Sequence, residues 1–194
     1  MSSYYRQQLE DWLRTKDVKT DKVLDVGGGS NPARGRTKSW DVKEYKILDS
    51  ELESPKQKVD FIWDLNEWIE NNGKEWEVEN FDVAFCLEVM EYIWNPVTAL
   101  NNLNYFLKKN GILYISFPFI YPHHNPERYD YLRYTGWGAE KLLEKAGFYI
   151  EEVTARLETD PYLLPKFYSK EKMHPSRGYD NHLEIGYLIK ARKI

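Results

Sequence analysis

Val23 to Pro32 read VLDVGGGSNP. An apolar run able to form a strand ends in three consecutive glycines, where the chain can adopt positive φ and no Cβ keeps a ligand from the backbone. Asp25 precedes the turn, and Gly27, Gly28 and Gly29 make it. At the carboxyl end of a strand such a turn suits a nucleotide-like group held by main-chain amides. The plainer alternative is a tight turn with no ligand. Asp49 closes a second strand-like run, YKILD, where a carboxylate can accept both hydroxyls of a ribose. A dinucleotide site calls for G-x-G-x-x-G, and Pro32 stands where its third glycine belongs. Asp49 itself does not decide between NAD and other adenosine cofactors.

A second concentration of chemistry lies at FPFIYPHHNPERYDYLRYTGW, residues 117–137. His123 or His124 could serve as a base near neutral pH. Arg133 could hold an anionic or hydroxyl-rich substrate, with Asp130 beside it in the same run. The competing reading makes the histidines a solvated turn between Pro122 and Pro126, and Asp130 with Arg133 a structural ion pair. Further on, residues 161–180 carry Lys166, Lys170, Lys172 and Arg177 against Glu171 and Asp180, with Phe167, Tyr168 and Tyr179 interleaved. That composition suits a phosphate-bearing or sugar-nucleotide substrate, a structured RNA, or a solvated loop. Cys86 follows an aromatic residue with no cation beside it, so it reads as packing rather than nucleophile. No His/Cys spacing typical of a metal site stands out.

These residues need elements to place them. Strand-like runs fall at 22–26, 45–49, 59–63, 81–86 and 111–117, with two more at 148–157 and 183–192. A leading helix is expected within residues 1–20, where Tyr5, Leu9, Trp12 and Leu13 recur at helical spacing. Asn95, Pro96 and the apolar Val97, Leu100, Leu103, Phe106 and Leu107 predict a helix over 96–109. Thr135 and Gly147 bracket another over 136–146. The order implies an α/β fold in three layers: a doubly wound, mostly parallel sheet of seven strands, the last antiparallel. Residues 33–44 lack the apolar period of a crossover helix, so that connection is read as a short helix or an excursion.

The chain of 194 residues has 42% hydrophobic and 30% charged residues and no linker, which suits one domain spanning 1–194. A formal net charge of -4 and a pI near 5.7 provide no global field for nucleic acid or anionic membrane. A lone cysteine and no apolar leader fit the cytoplasm. Seven tryptophans could serve a homodimer surface, or be absorbed by core and pocket.

Taken in order, VLDVGGGSNP, YKILDS, FIWDLNEW, FDVAFCLEVMEYIWNP, GILYISFPF and LLEKAGF resemble the seven-stranded, class I S-adenosylmethionine-dependent methyltransferases over about residues 20–153. The resemblance implies S-adenosylmethionine as cofactor. It gives Asp25 and Gly27–Gly29 the methionine part and ribose, Asp49 the ribose hydroxyls, and Asp64 the adenine amino group with the Leu65 backbone close to the ring. Cys86, Leu87 and Glu88 would line the sulfonium. Asp64 could equally, or also, cap a helix before Leu65, Trp68 and Ile69. Tyr92 stands where many members carry a histidine. Residues 118–135, over the methyl side, and 158–182 would be substrate-side segments.

Several acceptors are demoted by comparison with that family. Amino-methylating DNA enzymes use an Asp/Asn-Pro-Pro-aromatic run where CLEVMEY stands, and cytosine-C5 enzymes need Pro-Cys, whereas Phe85 precedes Cys86. The expectation is O-methylation of a small polar metabolite such as a sugar or sugar nucleotide. An RNA methyltransferase and a non-catalytic cofactor-binding subunit are the alternatives.

Overall fold

The protein is described here from a computed structural model over residues 4–50, 58–69, 80–120, 122–123, 126–158 and 183–194. Seven strands form one sheet: β1 (Asp17–Val26), β2 (Ser39–Asp49), β3 (Phe61–Ile62), β4 (Phe81–Cys86), β5 (Leu107–Pro118), β6 (Phe148–Glu158) and β7 (Leu183–Lys193). Their spatial order is β3-β2-β1-β4-β5-β7-β6; the first five are parallel, and β7 runs antiparallel between β5 and β6. The expected topology, with its reversed last strand, is the one observed. Among the described residues no helix is long and apolar enough to cross a membrane.

One face of the sheet is covered by α2 (Pro96–Phe106) and α3 (Gly136–Lys145), which bury Leu100, Leu103, Phe106, Ala139 and Leu143 against Leu24, Ala84, Ile115 and Ile189. Asn95 caps α2, its side chain accepting from the Thr98 amide, and Pro96 occupies the first turn, where no amide hydrogen is needed. Thr135 caps α3 in the same way through the Gly138 amide. Helix α2 stops three residues short of the expected 109. Leu107 turns extended and pairs with Phe81, so LKK becomes the start of β5.

The other face has no crossover helix between β1 and β2. Residues 27–38 form turns and bends, the excursion anticipated from the missing apolar period. Helix α1 (Tyr4–Leu13) covers this face instead, burying Leu9, Trp12 and Leu13. Four rings pack across it: Trp40 on Phe85, Phe85 stacked on Tyr114 with centroids 5.0 Å apart, and Trp12 edge-on to Tyr114 at 5.7 Å. Offset and edge contacts of this kind add to the area they bury. The helix is also braced at both ends of the sheet. Glu10 receives Arg36 of the excursion at 2.7 Å, Gln8 exchanges two hydrogen bonds with the Leu157 backbone, and Glu152 accepts from Trp12 and Lys16 at 2.7 Å.

Candidate active site

The glycine turn directly follows β1, at the carboxyl ends of the five parallel strands. Gly27 has φ +76°, and its amide donates to the Leu48 carbonyl at 2.8 Å, tying β1 to β2 at the point of exit. A Cβ on Gly27 would lie 2.4 Å from Val89 Cγ2, and one on Gly28 2.6 Å from the Asp25 carboxyl group. The chain's own packing therefore already forbids side chains at both positions, a demand the glycine pattern in the sequence did not distinguish from that of a ligand.

Asp25 is buried beneath the turn. Its Oδ2 accepts from the Ala33 amide at 2.6 Å and from the Tyr45 hydroxyl, so the carboxylate fastens the far end of the excursion to the strand. Burial outweighs these donors and pushes its pKa up to about 6. Burial, then the adjoining Asp25 charge, also pushes the Tyr45 hydroxyl well above its ordinary value. Asp25 thus supports the turn from below. Asp49 lies beside it: Oδ2 accepts from the Gly29 amide at 2.9 Å and Oδ1 from the Ser50 amide at 2.8 Å. The turn after β1 and the carboxylate ending β2, separate in sequence, form one contiguous edge.

Beyond β3, the exposed Asp64 accepts from the backbone and side chain of Asn66 at 2.9 and 2.8 Å, so it caps a turn, where a helix start was the alternative reading. Leu65 buries its side chain in the core. Two asparagines that sequence reasoning passed over hold this loop. Asn66 Oδ1 accepts from the Trp94 and Asn95 amides at 2.9 and 3.0 Å, joining the loop to the start of α2. Asn102, fully buried, donates to the Leu65 and Glu67 carbonyls and accepts from the Ile69 amide. An asparagine between Leu100 and Leu103 on an apolar helix face was the available signal. Asn102→Leu is expected to cost about 1–3 kcal/mol for each group left buried and unpaired, read as a lower midpoint in urea unfolding.

At the end of β4, Cys86 is fully buried between Val26 of β1 and Ile115 of β5. Burial, then Glu91 and Asp25, pushes its thiol far above the ordinary range, which agrees with a packing role. Leu87 packs on the face covered by α1. Glu88 turns the other way, to Ser116 and Arg156.

The segment after β5 is pinned over β4 and β5. The Tyr131 amide donates to the Glu91 carbonyl at 2.7 Å, the Tyr134 amide to the Pro118 carbonyl at 2.7 Å, and the Tyr134 hydroxyl to the Met90 carbonyl at 3.0 Å. Within it Arg133 grips the buried Asp130 carboxylate with two nitrogens, Nη2 at 2.6 Å from Oδ2. His123 Nδ1 lies 3.4 Å from the same Oδ2, with the imidazole largely exposed. The expected ion pair is present, and the histidine lies beside it. His124 and the basic stretch 161–180 lie outside the described residues.

Seven strands in this order with β7 reversed, and a glycine turn beside a carboxylate at the parallel strand ends, are the class I methyltransferase fold. The chain belongs to the methyltransferase-domain family, whose profile matches residues 1–153. It is 29% identical over 113 residues to the ubiquinone biosynthesis O-methyltransferase of Rickettsia typhi; the match takes in 54% of this chain but only 44% of that protein. Among solved structures it resembles the complex between the Trm112 methyltransferase activator of Haloferax volcanii and a methyltransferase (TM-score 0.63, 16% identity, covering 98% of this chain and 88% of that one). It also resembles the 1,6-didemethyltoxoflavin-N1-methyltransferase of Burkholderia thailandensis, solved with its substrate and S-adenosylhomocysteine (TM-score 0.61, 16% identity, 99% and 79% covered). At such identities these structural likenesses concern the fold.

Proposed function

We propose that this methyltransferase uses S-adenosylmethionine to O-methylate a small polar metabolite, with a sugar or sugar nucleotide as the leading acceptor class. The observation that carries the reading is the joined edge of the Gly29 amide and Asp49, 2.9 Å apart at the ends of neighbouring strands. It offers a backbone surface and a carboxylate to one adenosine, and the residues present fit that group. The R. typhi relative is named as an O-methyltransferase, which favours oxygen as the acceptor atom. The toxoflavin enzyme acts on a small molecule, which favours that substrate class.

When bound, S-adenosylmethionine supplies a methyl group already activated by its positive sulfur. The protein's part is then largely alignment, which can supply up to about 7–11 kcal/mol. Gly27–Gly29 and Asp49 would hold the cofactor, with Asp64 and the Leu65 backbone toward its base and Leu87 as apolar wall, while Cys86 packs beneath. His123, steadied by Asp130 through one ring nitrogen, takes the hydroxyl proton of the acceptor with the other, and general-base help of this kind typically adds about 10²–10⁴-fold. Arg133 holds the Asp130 carboxylate in place.

Calorimetry with S-adenosylhomocysteine tests the carrying observation. Asp49→Ala is expected to weaken binding by about 1.5–3 kcal/mol, the worth of a hydrogen bond to a charged group. Unchanged affinity would remove Asp49 from the site. Stoichiometric S-adenosylhomocysteine release with a metabolite panel separates an enzyme from a cofactor-binding subunit, and a steep salt dependence of RNA binding would favour an RNA acceptor instead.

A further inference from the structure

Glu88 ends β4 in a conformation that suits a glutamate poorly. Its φ of 56° is in the left-handed region, which glycine and asparagine occupy at less cost. Two strands hold it there. Its amide donates to Ser116 Oγ of β5 at 2.7 Å, and that hydroxyl donates back to Oε1 at 3.0 Å. Arg156 Nη1, from the outermost strand β6, donates to the same Oε1 at 2.7 Å.

Arg156 must cross β7 to arrive. Its register partner on β7 is Gly186, where a Cβ would stand 3.7 Å from Arg156 Cδ and 2.8 Å from the Phe117 carbonyl oxygen. The arginine is 1% exposed, whereas the Glu88 side chain keeps 24% of its surface. Burying such a pair brings little net stability, because desolvation offsets the attraction. A strained residue, a buried cation and a glycine window all serve to aim one carboxylate, and such strain concentrates at functional sites.

The strand order gives the direction of aim. The glycine turn, Asp49 and Asp64 follow β1, β2 and β3, all on one side of β4; Ser116 and Arg156 come from β5 and β6, on the other. Glu88 is therefore drawn away from the cofactor's half and toward the half roofed by residues 126–134. Both side-chain hydrogen bonds fall on Oε1.

We infer that Glu88 is an acceptor-binding residue whose Oε2 accepts a hydrogen bond from a hydroxyl of the methyl acceptor, with Ser116 and Arg156 as its positioning residues. The chemistry selected is a diol such as a sugar presents: one hydroxyl is anchored by the carboxylate while its neighbour is methylated. Because Glu88 neutralises Arg156, an anionic acceptor gains nothing from that guanidinium. The assignment rests on the methyltransferase reading above.

The test titrates S-adenosylhomocysteine into wild type, Glu88→Gln, Ser116→Ala, Arg156→Met and Arg156→Lys, then adds catechol or methyl β-D-glucopyranoside to the saturated proteins. Expected are S-adenosylhomocysteine affinities within about two-fold of one another, and diol binding to wild type that falls about ten-fold or more in Glu88→Gln. The same loss in Arg156→Met, partly restored in Arg156→Lys, marks a positioning role. Catechol or glucoside preference identifies a planar or a sugar diol. Ser116→Ala, the mildest change, carries the same expectation if a charge variant fails to fold. A ten-fold loss of S-adenosylhomocysteine affinity in Glu88→Gln overturns the assignment by making Glu88 a cofactor ligand. Equal treatment of both diols by wild type and Glu88→Gln, including no binding to either, also overturns it. Wild type that fails to bind S-adenosylhomocysteine brings down the underlying reading instead.

Discussion

Gly27→Ala is expected to lose about 2–5 kcal/mol of folding stability, a large share of the roughly 5–15 kcal/mol of a typical domain, together with S-adenosylhomocysteine binding. Two independent penalties add. A positive φ costs a residue with a Cβ about 1–2 kcal/mol, and the new methyl would stand 2.4 Å from Val89 Cγ2, an overpacking worth about 1–3 kcal/mol. The backbone cannot move aside cheaply, because the Gly27 amide is committed to the Leu48 carbonyl. The double variant Gly27→Ala, Val89→Ala separates the two: it should recover the packing part, less the cost of losing the valine, and leave the dihedral part. Chemical denaturation of the four proteins in the cycle measures this. Equal stability of Gly27→Ala and wild type would mean that the turn is not built as described.

The second large effect is a pH dependence carried by Asp25. Its pKa rises from 3.8 to about 6 on folding because burial disfavours the ionised form. The folded state therefore holds the proton more tightly than the unfolded one. The stabilisation is fully present below about pH 3.8 and is lost as pH rises through about 6. At about 1.4 kcal/mol per pH unit, the window is worth roughly 3 kcal/mol. Asp25→Asn keeps an oxygen for the Ala33 amide and the Tyr45 hydroxyl but cannot ionise. The stability of wild type minus that of Asp25→Asn should fall by roughly this amount between pH 4 and pH 7 and stay level above. Subtracting the variant cancels the other carboxylates, and a flat difference would place Asp25 in a less buried setting.

Much of the architecture could be read from the chain because β1, β2, β4 and β5 are apolar toward their carboxyl ends, where both faces are covered. The amino-terminal halves of β1 and β2 escaped because they project as a ribbon whose residues alternate. Val18, Trp40 and Val42 point inward while Lys38 pairs with Asp17 and Lys43 with Asp21 outside, so no continuous apolar run marks them. In the site, VLDVGGGSNP announced a turn needing bare backbone, but not that Val89 and Asp25 are what fills the space at Gly27 and Gly28. Asp25 looked like a ligand for a cofactor, yet its partners are Ala33 and Tyr45. The Glu88–Arg156 pair was out of reach for a different reason: its members are 68 residues apart, and one arginine in FYIEEVTARL says nothing about crossing a neighbouring strand. The Asp130–Arg133 pair, three residues apart, was legible.

Helix α1 docks on strands that complete the opposite end of the chain. Trp12 meets Glu152 across 140 residues. During synthesis, then, α1 emerges well before the strands that seat it, and until β5 and β6 are made the aromatic face it will close stays open to other chains. Slow translation or a crowded ribosome exit would prolong that exposure, so yield in the cell should depend on chaperone supply more than the finished protein's stability would suggest.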